Sequence, residues 1–166
     1  MDERRVGLGY DVHRFDPKRP LVLGGVRIPH DRGLLGHSDA DVLTHAICDA
    51  LLGAAGLGDI GTHFPDTDEA YRGISSLELL RRVVGMLRET GFRVVNVDAT
   101  VIAEEPKLAA HFPPMRERLS EPLGVPAACI GLKATTNEGL GALGRAEGIA
   151  AIAVCLIGRA TPDPCT

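Results

Sequence analysis

The sequence predicts an α+β domain: a mixed β-sheet with helices packed on one face, plus a small β-hairpin. Three observations support that expectation. Stretches rich in β-branched residues and stretches with a 3.6-residue apolar period neither strictly alternate nor separate into blocks. The pair Gly24-Gly25 stands between two short apolar runs, the spacing of a two-residue hairpin. The length of 166 residues, with 45% hydrophobic and 24% charged side chains, suits one packed core, so a single domain over 1–166 is expected.

Taken in order, residues 6–15 read as a strand that ends in the turn-formers Asp16, Pro17 and Lys18. Residues 21–23 and 26–28 are the arms of the hairpin, whose turn needs positive φ. From Ser38 the period becomes helical through Val42, His45, Ala46, Ala50 and Leu51, with Ser38 as N-cap and Gly53 near the stop. Residues 53–73 hold too many Gly, Asp, Thr and Pro for a regular element beyond one helical turn. Ile60 and Phe64 give that loop something to bury, so it is a candidate lid.

Ser75 and Glu78 form a capping box ahead of an apolar face made by Leu77, Leu80, Val83, Val84 and Leu87, with Gly91 at the far end, which predicts a second helix. Residues 92–103 are β-branched and read as a long strand. Residues 107–123 have helical composition, but Pro113-Pro114 should break it and leave a short helix from about residue 114. Residues 130–135 and 149–157 complete the strands, the second assigned by its length.

Eighteen Lys and Arg against 22 Asp and Glu leave a charge of -4, which argues against a polyanionic partner such as nucleic acid or an anionic membrane. Aromatics at 4% with no Trp supply no stacking platform for single strands. The longest apolar run, 149–157, falls short of the roughly 20 residues that span a bilayer. The start MDERRVGLG lacks the apolar stretch of a signal peptide, so a cytoplasmic location is expected. Cys48, Cys129, Cys155 and Cys165 form no CxxC and read as reduced packing residues.

Asp11 and His13 are two apart on a strand and so project from one face, a carboxylate beside an imidazole. His37 and Ser38 stand at the mouth of the first helix, and Asp41, His45 and Asp49 recur at four-residue spacing along it. Three ligands of this type with a fourth position open are a common catalytic zinc set. A bare DxH also occurs as a turn or surface pair, and an acidic stripe as a solvated helix face. Density brings the metal reading level with these two: three of six histidines and four aspartates fall in two segments flanking the hairpin.

No GxxxxGK[ST] is present, which disfavours a nucleoside triphosphatase. Residues 133–138, KATTNE, lead instead into Gly139, Gly141, Gly144 and Arg145, where hydroxyls, turn amides and a guanidinium can meet an anion. The same residues also suit a plain Gly-rich connection. Asp59, Asp66 and Asp68 have a simple reading as turn formers, and Lys107 as a loop lysine.

Together GYDVHRF, LGGVRIP, GLLGHSDADVLTHAICDALLGAAGLGDIGTHFPDTD, NVDATVIAEEPK and KATTNEGLGALGRAEGIA resemble the 2-C-methyl-D-erythritol 2,4-cyclodiphosphate synthases of non-mevalonate isoprenoid biosynthesis, in that family's order and over nearly the whole chain. The resemblance implies a homotrimer with active sites between neighbouring subunits. It also implies a small-molecule substrate, 4-diphosphocytidyl-2-C-methyl-D-erythritol 2-phosphate, whose 2-phosphate attacks its own β-phosphorus and expels CMP.

By the same resemblance, Asp11, His13 and His45 hold zinc, and Glu138 meets a second cation, magnesium or manganese, on the diphosphate. His37 with Ser38, and Thr136, match positions that steady phosphates. Asp59, Ile60, Gly61, Phe64, Pro65, Asp66, Thr67 and Asp68 match a loop closing over methylerythritol. Ala103, Pro106, Lys107, Leu108 and Ala109, with Ala134 and Thr135, match the neighbouring subunit's cytidine pocket. Arg145 matches a residue lining an axial cavity that can hold an isoprenoid diphosphate. Ala142 stands where many members carry an aromatic residue, which argues against that lipid here. Two competing readings remain: a zinc phosphohydrolase, which incorporates water, and a non-catalytic trimer that binds isoprenoid diphosphate.

Overall fold

The computed structural model describes residues 3–160. A five-stranded sheet has the order β4-β1-β7-β5-β6, formed by β1 (Arg4–Asp16), β4 (Gly33–Leu34), β5 (Phe92–Ile102), β6 (Ile130–Thr135) and β7 (Gly148–Arg159). The β5–β6 pair is parallel and the others are antiparallel, so the sheet is mixed as expected. The hairpin of β2 (Leu21–Leu23) and β3 (Val26–Ile28) forms its own two-stranded sheet, with Gly24 and Gly25 at φ 54° and 71°.

Three longer helices, α1 (Val42–Ala55), α3 (Ser76–Glu89) and α4 (Phe112–Leu123), are joined by the one-turn helices α2 (Ile60–His63) and α5 (Gly141–Gly144). The core lies between the sheet and these helices, where Ile47, Leu51, Leu80, Leu87, Met115 and Leu119 are fully buried.

Helix α1 lies directly on β1. A Cβ on Gly7 would fall 1.9 Å from the Ala50 carbonyl oxygen, and one on Gly9 2.0 Å from that of Ala46. Only glycine on the strand permits this approach, and the period of two carries the same strand face onward to Asp11 and His13. The opposite face of β1, with Val6, Leu8, Tyr10 and Val12, is bare in the single chain, as are Ile152 and Val154 of β7.

Several boundaries differ from expectation for local reasons. The N-cap of α1 is Asp41, not Ser38: Ala40 takes φ 58°, which stops the helix from reaching back, and Asp41 accepts from the Thr44 amide at 3.0 Å. The buried Asp41 carboxylate also takes the Gly24 and Gly25 amides at 2.9 and 2.7 Å, tying the hairpin turn to the helix. Gly53 lies inside α1, which ends where Gly56 adopts the left-handed conformation.

Ser75 occupies the N-cap of α3 without a side-chain cap bond. Asp39 caps that helix from outside through the Ser76 amide at 3.0 Å, while Glu78 pairs with Arg82. Pro113 and Pro114 do not break α4; they occupy its first turn, where no amide is needed, so the helix begins at Phe112. Strand β4 is two residues long and gives no period to read. Cys48 and Cys155 are buried and free, Cys129 is free, and Cys165 lies outside the described residues.

Candidate metal centre and cleft

Strand β1 and helix α1 bring Asp11, His13 and His45 together, with their ligating atoms all within 4.8 Å of one another. Asp11 Oδ2 lies 3.0 Å from His13 Nε2 and 3.0 Å from His45 Nδ1, and the two ring nitrogens are 3.2 Å apart. The hydrogen bonds behind the rings select these atoms. His13 Nδ1 donates to the Leu35 carbonyl at 2.7 Å, which leaves its Nε2 lone pair facing inward. Asp39 only accepts, so Ser76 Oγ donates to Asp39 and accepts from His45 Nε2 at 2.9 Å; the His45 Nδ1 lone pair then faces Asp11. Ser38 Oγ lies 3.1 Å from the same His45 Nε2.

Three unprotonated donors of mixed carboxylate and imidazole type therefore converge, each braced from behind, which fits a divalent ion. Without an ion, a proton on a facing ring nitrogen turns its contact with Asp11 into a hydrogen bond: burial opposes ionisation of Asp11, yet such bonds to His13 and His45 prevail and hold its carboxyl well below the usual range. Burial likewise lowers His13, but the bond and charge of Asp11 outweigh it and raise the imidazole above its ordinary value.

A cleft of about 540 Å³ opens above these residues. One side is His37, Ser38 and Asp49, and the other is Ile60, Gly61, Phe64, Pro65, Asp66 and Thr67 from the expected lid. The lid is folded, not loose: α2 is followed by a 3-10 turn at Glu69–Tyr71, and Ile60 and Phe64 pack against the core. His37 Nε2 donates to the Asp68 carbonyl at 3.0 Å, joining the two walls. Asp59 and Asp68 cap the lid's short turns through Thr62 and Ala70 and do not line the cleft. Asp49 lines the cleft without joining the ligand group; it accepts from the Ile60 amide at 2.8 Å, and burial with the charges of Asp11 and Asp59 raises its carboxyl.

The remaining expected residues gather elsewhere. In the sheet, Asp11 pairs with Ala151, Ala151 with Val101, and Val101 with Ala134. Three strand spacings of about 4.8 Å therefore put Ala134 roughly 14 Å from Asp11 in the same row. Ala103 bonds Thr135 at 3.0 Å, so segment 103–109 runs beside Ala134 and Thr135. Leu108 faces inward, 3% exposed, and offers a pocket only its backbone. Glu138 is exposed with φ 52°, and Thr136 Oγ1 lies 3.4 Å from its carboxylate. Arg145 is paired with Glu147 at 2.6 Å. None of these residues reaches the cleft of the same chain.

Asp39, Ser76 and Leu35 brace the centre without having been singled out from the sequence. Ser76 is 31 residues from His45, and no local pattern links them.

A model of the YgbB family matches residues 4–158. The chain is 65% identical to the 2-C-methyl-D-erythritol 2,4-cyclodiphosphate synthase of Symbiobacterium thermophilum, over 92% of this chain and 97% of that protein. Its fold is similar to the bifunctional IspDF of Campylobacter jejuni, with TM-score 0.93 and 43% identity, covering 96% of this chain and 43% of the other. It is similar too to a Plasmodium falciparum IspF in complex with CDP, with TM-score 0.83 and 33% identity over 97% of this chain and 99% of that one. No helix among the described residues is long and apolar enough to cross a membrane. A match over almost the whole chain, together with these relatives, means that the chain belongs to the YgbB family.

Proposed function

We propose that this chain is a lyase that converts 4-diphosphocytidyl-2-C-methyl-D-erythritol 2-phosphate to 2-C-methyl-D-erythritol 2,4-cyclodiphosphate and CMP, within non-mevalonate isoprenoid precursor synthesis. An oxygen of the 2-phosphate forms a bond to the β-phosphorus, and the bond from that phosphorus to the oxygen of CMP breaks. The observation that supports this most is the convergence of Asp11, His13 and His45 beneath a cleft in a chain of this family.

Asp11 Oδ2, His13 Nε2 and His45 Nδ1 are the proposed zinc ligands, and Glu138 is proposed to meet a second ion, magnesium or manganese. Bound there, the ions supply positive charge to phosphate oxygens that otherwise repel. The protein's own part is to orient. His37 and Thr136 meet the phosphates, Ser38 stands behind His45, and residues 60–67 enclose the methylerythritol carbons away from water. Nucleophile and electrophile belong to one molecule, so folding it correctly replaces an acid–base pair.

The homotrimer is part of the same proposal. The exposed apolar face of β1 and β7, with Val6 and Leu8 each 67% exposed, suits burial against further copies. A separation of roughly 14 Å between Asp11 and Ala134 suits a site that takes its metal centre from one copy and segment 103–109, Ala134 and Thr135 from the next. Arg145 is already paired with Glu147 and Ala142 supplies no aromatic wall, so an isoprenoid diphosphate is not included. The free Cys48, Cys129 and Cys155 suit a cytoplasmic location.

The test is turnover in oxygen-18 water followed by phosphorus NMR and mass analysis. The cyclic diphosphate and CMP, both unlabelled, are expected. Label in either product would replace this reading with a phosphohydrolase.

A further inference from the structure

Segment 103–109 has no regular structure before its closing 3-10 turn, so something other than a ladder must fix it. It is pinned at Ala103 by Thr135, at Leu108 by burial, and at Glu104, whose carboxylate takes the Asn137 and Gly139 amides at 2.8 and 3.3 Å. The fourth pin comes from the opposite edge of the sheet. Arg32, next to β4, lies over the Phe15 ring with its guanidinium carbon 4.3 Å from the centroid. From there it donates to the Glu105 carboxylate and, at 3.3 Å, to the Ala146 carbonyl. His30 Nε2, shut from solvent and without a hydrogen-bond partner among the described residues, stands 3.9 Å from the same Glu105 oxygen.

Arg32 thus crosses the ends of β1, β7 and β5, joining the strand that carries the metal ligands to the segment expected to meet the nucleotide. The guanidinium suits this task because its planar fork stacks on the ring while its edge donates in two directions; an ammonium does not do both.

We infer that Arg32 is a positioning residue for nucleotide binding: braced on Phe15, it holds Glu105 and thereby presets the backbone at 104–107 for a cytidine diphosphate. This rests on the function proposed above, and Arg32 touches neither the reacting atoms nor the metal ligands.

Two measurements on Arg32→Met, Glu105→Gln and the double variant test it. The first is amide hydrogen exchange of the ligand-free protein at Glu104, Glu105 and Lys107, which should quicken about tenfold in each variant while the core strands stay unchanged. The second is calorimetric binding of CDP, which should weaken about tenfold in each single variant and no further in the double, because both break one link. KM should rise with kcat nearly kept, and Arg32→Lys should recover only part of the loss. Unchanged exchange at 104–107 would overturn the clamp whatever CDP does. Quickened exchange with CDP affinity equal to wild type would overturn the positioning role. If the wild-type protein binds no CDP while exchange still quickens, the proposed function has failed, and the nucleotide role falls with it while the clamp survives as structure.

Discussion

His45 Nε2 and Ser76 Oγ lie 2.9 Å apart, and that contact decides which nitrogen of His45 faces Asp11. The chain from Asp39 through Ser76 to His45 makes Nε2 the donor and leaves Nδ1 unprotonated. The metal centre therefore depends on a serine that is not a ligand.

The first prediction follows from that relay. Ser76→Ala should fold, because only a hydroxyl is removed, yet bind zinc about 10- to 100-fold more weakly, the usual cost of losing a partner behind a ligand. Competition with a chromogenic chelator measures it, with Asp39→Asn expected to show a smaller loss in the same direction. Affinity equal to wild type in both would mean that the relay does not orient His45.

Acidification should release the ion in step with His13. In the ion-free chain Asp11 stays ionised well below the usual range, whereas His13 is raised above the ordinary imidazole value of about 6.5, so the proton that competes with metal goes to His13 Nε2. Zinc affinity should fall about tenfold per pH unit once the pH drops below that raised value. The sign for stability of the ion-free protein is the reverse. His13 contributes stability that is complete below about pH 6.5 and lost as pH rises through its folded value. Melting curves should therefore show the ion-free protein losing stability from pH 6 to 8 relative to His13→Gln, and the zinc-loaded protein gaining it.

Close packing of α1 on β1 gives a prediction of opposite signs at two glycines. Gly9→Ala puts a methyl 2.0 Å from a backbone oxygen, so helix and strand must part; a loss of about 3 kcal/mol or more is expected, with weaker zinc binding because His45 moves with the helix. Gly53→Ala, within α1 and with nothing nearer than 4.0 Å, should instead stabilise by about 0.5–1 kcal/mol. Urea denaturation with zinc titration of both variants checks the pair.

The proposed division of the site predicts complementation. Asp11→Asn removes a ligand from the metal centre on β1, and Lys107→Ala alters the segment that follows β5, two strands away in the sheet. Each homotrimer should be nearly inactive. Trimers reassembled from an equal mixture should recover about a quarter of wild-type activity, because random pairing of copies leaves a quarter of the sites with both halves intact. No recovery on mixing would place both halves of the site within one chain.

What the sequence made legible was whatever repeats at short range. The period of two places Asp11 beside His13, the hairpin glycines mark their turn, and the apolar period marks α1 and α3. The ends of elements were less legible because long-range contacts set them: Ala40 in a left-handed turn stops α1, and Asp39 from another segment caps α3. Pro113 and Pro114 can break a helix or begin one, and their neighbours do not say which. In the site, a density of Asp and His marked the region, and the family resemblance picked Asp11, His13 and His45 from it. The Ser76 and Leu35 contacts behind them, and the Arg32 link to Glu105, depend on tertiary packing and leave no mark at any fixed spacing.

Stripping the purified protein of divalent ions with a strong chelator, and following the substrate by phosphorus NMR before and after zinc and magnesium are returned, tests the central claim most directly. The expected result is no cyclic diphosphate from the stripped protein and full ring formation on restoring both ions. Undiminished ring formation by protein shown to be ion-free would contradict the account.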